Sequence, residues 1–291
     1  MIEICEVGPR DGLQNEKKLV TTDQKVDMIT KLIDAGAQKI EAVSFVNPKV
    51  VPQMADAEEV MKLVPRLDGV SYAGLVLSYS GLKRALETAV DSYHVVTATS
   101  DAFNLKNARK TVDQNVAELV KVIKEAADAK KTVAGVLGTA FGCPFSGDVP
   151  VNRVLEIAET FVKAGATEIT LADTTGLATP LQVSHLVQEF QKQYGNDIKL
   201  GLHFHNTRGL GLANVLAGYQ SGIRRFDSSI GGLGGCPFAP KAVGNVCTED
   251  MVNMFVGMGI ETGMDLQGLI DTAVWMELQM ERPLDGMMMK L

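Results

Sequence analysis

Eight short β-branched runs recur along the chain, separated by stretches that carry helical periodicity. The runs fall at 2–7, 39–45, 70–77, 93–97, 132–139, 168–172, 199–205 and 225–230. Helical patterns occupy 22–35, 112–129, 151–164 and 180–194; in the second, Val116, Leu119, Val120 and Ile123 repeat at the i, i+3, i+4, i+7 spacing of a buried face. Several of these stretches stop at a glycine just ahead of the next run, as in Ala35-Gly36, Ala164-Gly165, Tyr194-Gly195 and Ser221-Gly222. Glycine takes a left-handed helix cap without a Cβ clash. Thr179-Pro180 marks a helix start, because proline suits the first turn. Strands alternating with helices pair in parallel through right-handed crossovers. Eight such units predict an α/β fold, a closed (β/α)8 (TIM) barrel. An open doubly wound sheet is the alternative, and no G-x-G-x-x-G follows the first run to support it.

After the eighth run come helical stretches at 248–257 and 265–281, one more than a minimal barrel needs. The chain therefore reads as a single domain, with barrel strands and loops over 1–246. Residues 247–291 hold the last barrel helix and an appended helical segment, placed to cover a barrel edge or contact another subunit.

Composition removes several function classes. The 291 residues carry 28 basic and 35 acidic side chains, a net charge of −7. A nucleic-acid partner is not expected, since phosphates call for a basic face. No apolar run reaches the roughly 18–20 residues of a membrane span, and the first residues lack the basic and apolar regions of a secretory signal. Cys5, Cys143, Cys236 and Cys247 show no C-x-x-C spacing, which argues against a zinc ribbon or redox dithiol. These features predict a reduced, cytoplasmic enzyme.

In such a barrel the strand C-termini converge on the face that carries chemistry. There the sequence places Arg10-Asp11 after the first strand, Glu41 and Ser44 in the second, Asp173 closing the sixth and His203-x-His205 ending the seventh. Period 2 puts both imidazoles on one strand face, where they either bind one ion or are bonded core histidines. With Asp11 and Asn245 they form a set of two nitrogens and two oxygens without thiolate. Such donors suit Mg²⁺ or Mn²⁺, and zinc remains compatible. Arg10 reads as a fixed cation for an oxyanion, or as half of an ion pair with Glu41. Asp173 is either a helix N-cap or a proton-handling carboxylate. The glycine-dense Gly231-Gly232-Leu233-Gly234-Gly235 lacks the lysine of a P-loop; it reads as a phosphate nest or as a flap carrying Cys236 inward. Cys236 is a buried apolar residue in one reading and a proton carrier in the other.

Taken together, these residues resemble the 3-hydroxy-3-methylglutaryl-CoA lyase family of metal-dependent barrel lyases and Claisen-type synthases. The matching segments are Glu6-Val7-Gly8-Pro9-Arg10-Asp11-Gly12-Leu13-Gln14-Asn15-Glu16, Ser44-Phe45-Val46, Gly142-Cys143-Pro144-Phe145, His203-x-His205, the glycine-flanked Cys236-Pro237-Phe238 and Gly244-Asn245. The cysteine signature is particular to the lyase branch. The resemblance implies a metal on Asp11, His203, His205 and Asn245 and retro-Claisen cleavage of a 3-hydroxyacyl-CoA. Arg10 would steady the enolate, Glu41 would orient Arg10, and Cys236 would protonate carbon. Asp173 or His203 would be the first base, and Arg10, Gln14 and Ser44 would contact substrate. A homodimer and a place in leucine breakdown are also implied. The chain departs from the family pattern at Asn206, at 240–243 and after the fourth and fifth strands. A citramalyl-type or longer branched substrate, or a synthase or aldolase reaction, therefore stays open.

Overall fold

The computed structural model describes residues 1–235 and 244–291. Eight parallel strands close into a barrel in chain order: β1 (Glu3–Glu6), β2 (Lys39–Ser44), β3 (Ser71–Leu75), β4 (Ser92–Ala98), β5 (Thr132–Gly138), β6 (Glu168–Asp173), β7 (Lys199–Phe204) and β8 (Arg225–Ser228). The first and last strands complete the ring, with Glu3 to Glu6 in register with Arg225 to Ser228.

The outer helices are α1 (Thr22–Asp34), α2 (Ala57–Leu63), α3 (Tyr79–Leu86), α4 (Asp101–Ala108), α5 (Val112–Asp128), α6 (Val151–Ala164), α7 (Pro180–Tyr194), α8 (Gly211–Gln220) and α9 (Thr248–Gly257). Their starts are written in the sequence. Thr21 with Gln24, Thr111 with Gln114 and Thr179 with Gln182 form reciprocal capping boxes that satisfy N–H groups the first turn leaves bare. The apolar faces of these helices then fill the layer around the strands. Phe161 of α6 lies so close to β5 that a Cβ at Gly135 would come within 2.6 Å of its ring. Truncating a phenylalanine buried in this way costs about 3–5 kcal/mol.

The extra helix, α10 (Leu266–Met280), packs against α1 and α9. It lies on the outside of the barrel where the first and last units meet. No helix among the described residues is long and apolar enough to cross a membrane.

Six strands are shorter than their apolar runs suggest, and in the last two the difference builds the site. β7 stops at Phe204 and β8 at Ser228, where the strand ends spread and admit a returning segment. His205 bridges to Asn245 and Ser229 to Cys247. The segment is held by Asn206 N–H to Gly244 O at 2.9 Å, Val246 N–H to Phe204 O at 3.1 Å and Ser229 N–H to Val246 O at 3.0 Å. Asn245 thus reaches the barrel mouth wedged between two strands rather than at the end of one.

Candidate active site

The turn after β1 is a single π-helical turn, Gly8–Gly12. The carbonyl of Val7 accepts from the N–H groups of Arg10, Asp11 and Gly12 at 3.2, 2.7 and 3.2 Å. A wider turn of this kind recurs at functional sites because it re-aims side chains. Here it tucks the guanidinium of Arg10 inside. Arg10 donates from Nε to Glu41 Oε2 at 2.6 Å, its Nη2 also meets that oxygen, and its Nη1 lies 2.6 Å from Asp11 Oδ1. Glu41 reaches it from β2, where the register against β3 slips between Glu41 and Val43. That bulge breaks the alternation between Glu41 and Ser44, which lie three residues apart.

Asp11, His203 and His205 each offer a ligand atom within 4.8 Å of the others. Asn245 joins them by donating from Nδ2 to Asp11 Oδ2 at 2.8 Å and to Leu233 O at 3.0 Å. Its Oδ1 is buried without a partner, and so is His205 Nδ1. Buried polar atoms are nearly always paired, so these two leave lone pairs free for a ligand. Burial, reinforced by His203, pushes His205 down to about 4, so it is neutral near pH 7, the form that coordinates metal. Burial would raise Asp11, but Arg10 and the two histidines outweigh it and hold the carboxyl at about 2. His203 Nδ1 lies 3.2 Å from Asp227 Oδ2, and burial's downward pull on its pKa is overcome by that carboxylate. Two imidazoles, a carboxylate and an amide oxygen fit a divalent ion of hard or borderline character.

The other expected residues fall into distinct surroundings. Asp173 does not cap α7, whose N-cap is Thr179. Its two oxygens instead accept from the N–H groups of Leu177 and Ala178 at 2.8 and 3.0 Å, because the turn after β6 folds back over the strand end. Burial raises its pKa to about 6 against those bonds. Gln14 donates to Asp11 Oδ1 at 3.3 Å, and Ser44 is buried with its hydroxyl unpartnered. The described part of the glycine segment is packed against Asn245. Gly234 has φ +105°, and a Cβ there would lie 2.6 Å from Asn245 Nδ2. Cys236 lies outside the described residues. Three basic residues of the loops that follow strands are already engaged: Lys18 pairs with Glu281 at 2.7 Å, Lys110 with Glu118, and Arg208 donates to the carbonyls of Thr175 and Gly176.

Two interior groups were missed from the sequence. His94, on β4, places Nδ1 2.8 Å from Glu41 Oε1. Asp227, on β8, joins His203 to Arg225, whose Nη1 is 2.9 Å from Asp227 Oδ1. The signal was the one that exposed Glu41, a polar residue inside a strand's apolar run. His94 in the fourth run and Asp227 in the eighth carry the same signal.

Fold and site together define a class: a (β/α)8 barrel enzyme whose mouth can seat a divalent ion beside a buried arginine. The HMGL-like family model matches residues 1–275. A hydroxymethylglutaryl-CoA lyase of Bacillus subtilis is 41% identical over 97% of this chain and 94% of its own length. An (R)-citramalyl-CoA lyase of Chloroflexus aurantiacus is 40% identical over 99% and 94%. The solved structure of an HMG-CoA lyase from Acinetobacter baumannii, in complex with coenzyme A and 3-methylmalate, is 42% identical with a TM-score of 0.95, covering all of this chain and 94% of its own. The chain belongs to the HMGL-like family, the one its motifs resemble.

Proposed function

We propose that the protein is a carbon–carbon lyase that cleaves 3-hydroxy-3-methylglutaryl-CoA to acetyl-CoA and acetoacetate. The observation that carries the reading is the convergence of Asp11, His203 and His205 beside Arg10 at the barrel mouth, with Asn245 Oδ1 and His205 Nδ1 unpaired. The three curated or solved relatives described above, two named for this activity and one for citramalyl-CoA, support the acyl-CoA class.

Asp11, His203, His205 and Asn245 would hold the ion, Mg²⁺ or Mn²⁺ on the chemistry of the donors. Bound there, it supplies Lewis-acid polarisation of substrate oxygens. Asp173 accepts the proton of the tertiary hydroxyl; its raised pKa, about 6, suits a base working near neutrality. The C2–C3 bond then breaks, the oxygen-bearing carbon becomes the ketone of acetoacetate, and the bonding pair passes to C2 as the enolate of acetyl-CoA. Arg10, fixed by Glu41 and Asp11, faces that negative charge without having to reorganise. A proton delivered to C2 completes acetyl-CoA, and Cys236 is assigned this step on its sequence setting. Gln14 and Ser44 contact the substrate in this reading.

A second substrate is favoured by one observation. The citramalyl-CoA lyase covers this chain as fully, and at nearly the same identity, as the hydroxymethylglutaryl-CoA lyase does. The deciding experiment supplies both thioesters with Mg²⁺ or Mn²⁺ and measures acetyl-CoA with its keto acid partner. Acetoacetate release that disappears in Cys236→Ala and Arg10→Met is expected. Full activity in both variants defeats the mechanism, and pyruvate as the preferred product transfers the assignment to citramalyl-CoA. Bacterial relatives support a cytoplasmic setting, and the resemblance supports a homodimer and leucine breakdown.

A further inference from the structure

Glu41 is wholly buried and has two oxygens to satisfy. Oε2 faces the guanidinium of Arg10, and Oε1 faces Nδ1 of His94 at 2.8 Å; among the described residues no other group bonds it. An ionised carboxylate only accepts, so Nδ1 of His94 carries the proton and donates. His94 is itself 2% exposed, and its Nε2 is buried with no partner. An apolar side chain at 94 would avoid that orphan nitrogen, so packing does not account for an imidazole there. Without it, Glu41 would have one bare oxygen in a buried site, and its charge would be held by Arg10 alone. Burial raises the pKa of Glu41, and Arg10 followed by His94 reverses the shift.

We propose that His94 is a positioning residue for the cleavage reaction, fixing Glu41 and through it the guanidinium that faces the developing enolate. This rests on the role given to Arg10 above. His94 lies on β4, whereas Arg10 is on the turn after β1 and Glu41 on β2, so the chain of bonds crosses the barrel interior. Loss of the donor frees Oε1 to seek another partner, and the carboxylate rotates away from the plane that serves Arg10. Substrate affinity, which Arg10 shares with Gln14 and Ser44, changes less than turnover.

The test compares His94→Leu with His94→Asn, whose amide offers a donor near the place of Nδ1. Thermal melting first establishes that each is folded; if the leucine variant is not, His94→Ala takes its place. In His94→Leu, kcat for 3-hydroxy-3-methylglutaryl-CoA falls about 10–100-fold, the range for a hydrogen bond to a charged group, while KM rises by much less. His94→Asn recovers most of the loss. In parallel, the Arg10 Nε–H resonance of ¹⁵N-arginine-labelled protein, assigned by its disappearance in Arg10→Met, moves upfield in His94→Leu without substrate and stays near its wild-type position in His94→Asn. Wild-type kcat with an unmoved resonance in His94→Leu overturns the proposal. So does a folded His94→Asn as impaired as the leucine variant. If the wild-type protein cleaves neither thioester, the functional reading fails, and the resonance still reports whether His94 sets Arg10.

Discussion

The barrel interior holds charge at two levels, and they are built differently. At the floor, Arg225 meets Glu168 at 2.6 Å and Asp227 at 2.9 Å, while Lys39 meets Glu168 at 3.0 Å. Two cations face two anions, and Gly201 leaves the space the arginine fills, since a Cβ there would lie 2.3 Å from Nη1. At the mouth, Arg10 alone faces Asp11 and Glu41, the neutral His205 adds no charge, and an amide oxygen and a ring nitrogen have no partner. The floor compensates itself. The mouth retains negative charge and unused donors, which a divalent cation would complete. Burial alone therefore does not mark a functional site, and neither does an unpartnered atom, since Arg225 and Asp227 carry such atoms too; uncompensated charge does. Asp227 touches both levels, through Arg225 below and His203 above.

Replacing the mouth's cation should give the largest effect on turnover. Arg10→Met is expected to lower kcat by about 10³-fold, as when a fixed oxyanion partner is removed, in protein that still melts cooperatively; steady-state kinetics beside a thermal melt checks both. The floor should respond in the opposite sense. Arg225→Met leaves buried Glu168 with Lys39 alone and Asp227 with His203 alone and is expected to destabilise by about 3 kcal/mol, read by urea unfolding, while protein that remains folded still turns over. Equal loss of turnover in the two variants would erase the distinction.

Asp227→Asn probes the shared residue. Asn keeps the shape but not the charge that orients His203, so Mn²⁺ affinity, followed by the resonance of the free ion, should weaken about 10–100-fold. Unchanged affinity would place Asp227 with the floor alone.

The smallest effect concerns Glu249, at the start of α9. Its Oε2 accepts from Gly231 N–H at 3.1 Å, and burial, aided by Asp250 and Glu6, raises its pKa from 4.5 to about 8. The folded protein thus binds a proton that the unfolded chain has released. The contribution is complete below about pH 4.5 and is lost as pH rises through about 8. Glu249→Gln keeps the acceptor and should flatten that decline in melting temperature; an unaltered slope would refute the assignment.

Much of this was legible in the chain. The strand runs, glycine stops and capping boxes are local signals, and eight of them in succession specify the barrel. Arg10, Asp11, His203 and His205 were visible because strand C-termini meet on one face whatever the loops do. Asp173 was identifiable as a special carboxylate, but its partners depended on how the following turn folds back. His94 was not recognised, because its meaning lies in Glu41, more than fifty residues away in sequence.

The sequence by itself determined the repeat, the fold class and the types of donor at the mouth, since period and residue chemistry are properties of the chain. Only the tertiary structure decided which donors share one site. The π-turn that brings Arg10 inward, the bulge after Glu41 and the insertion of Asn245 between β7 and β8 are choices among backbone arrangements of similar local cost. Closure of the barrel selects among them, because only there do these buried charges find one another.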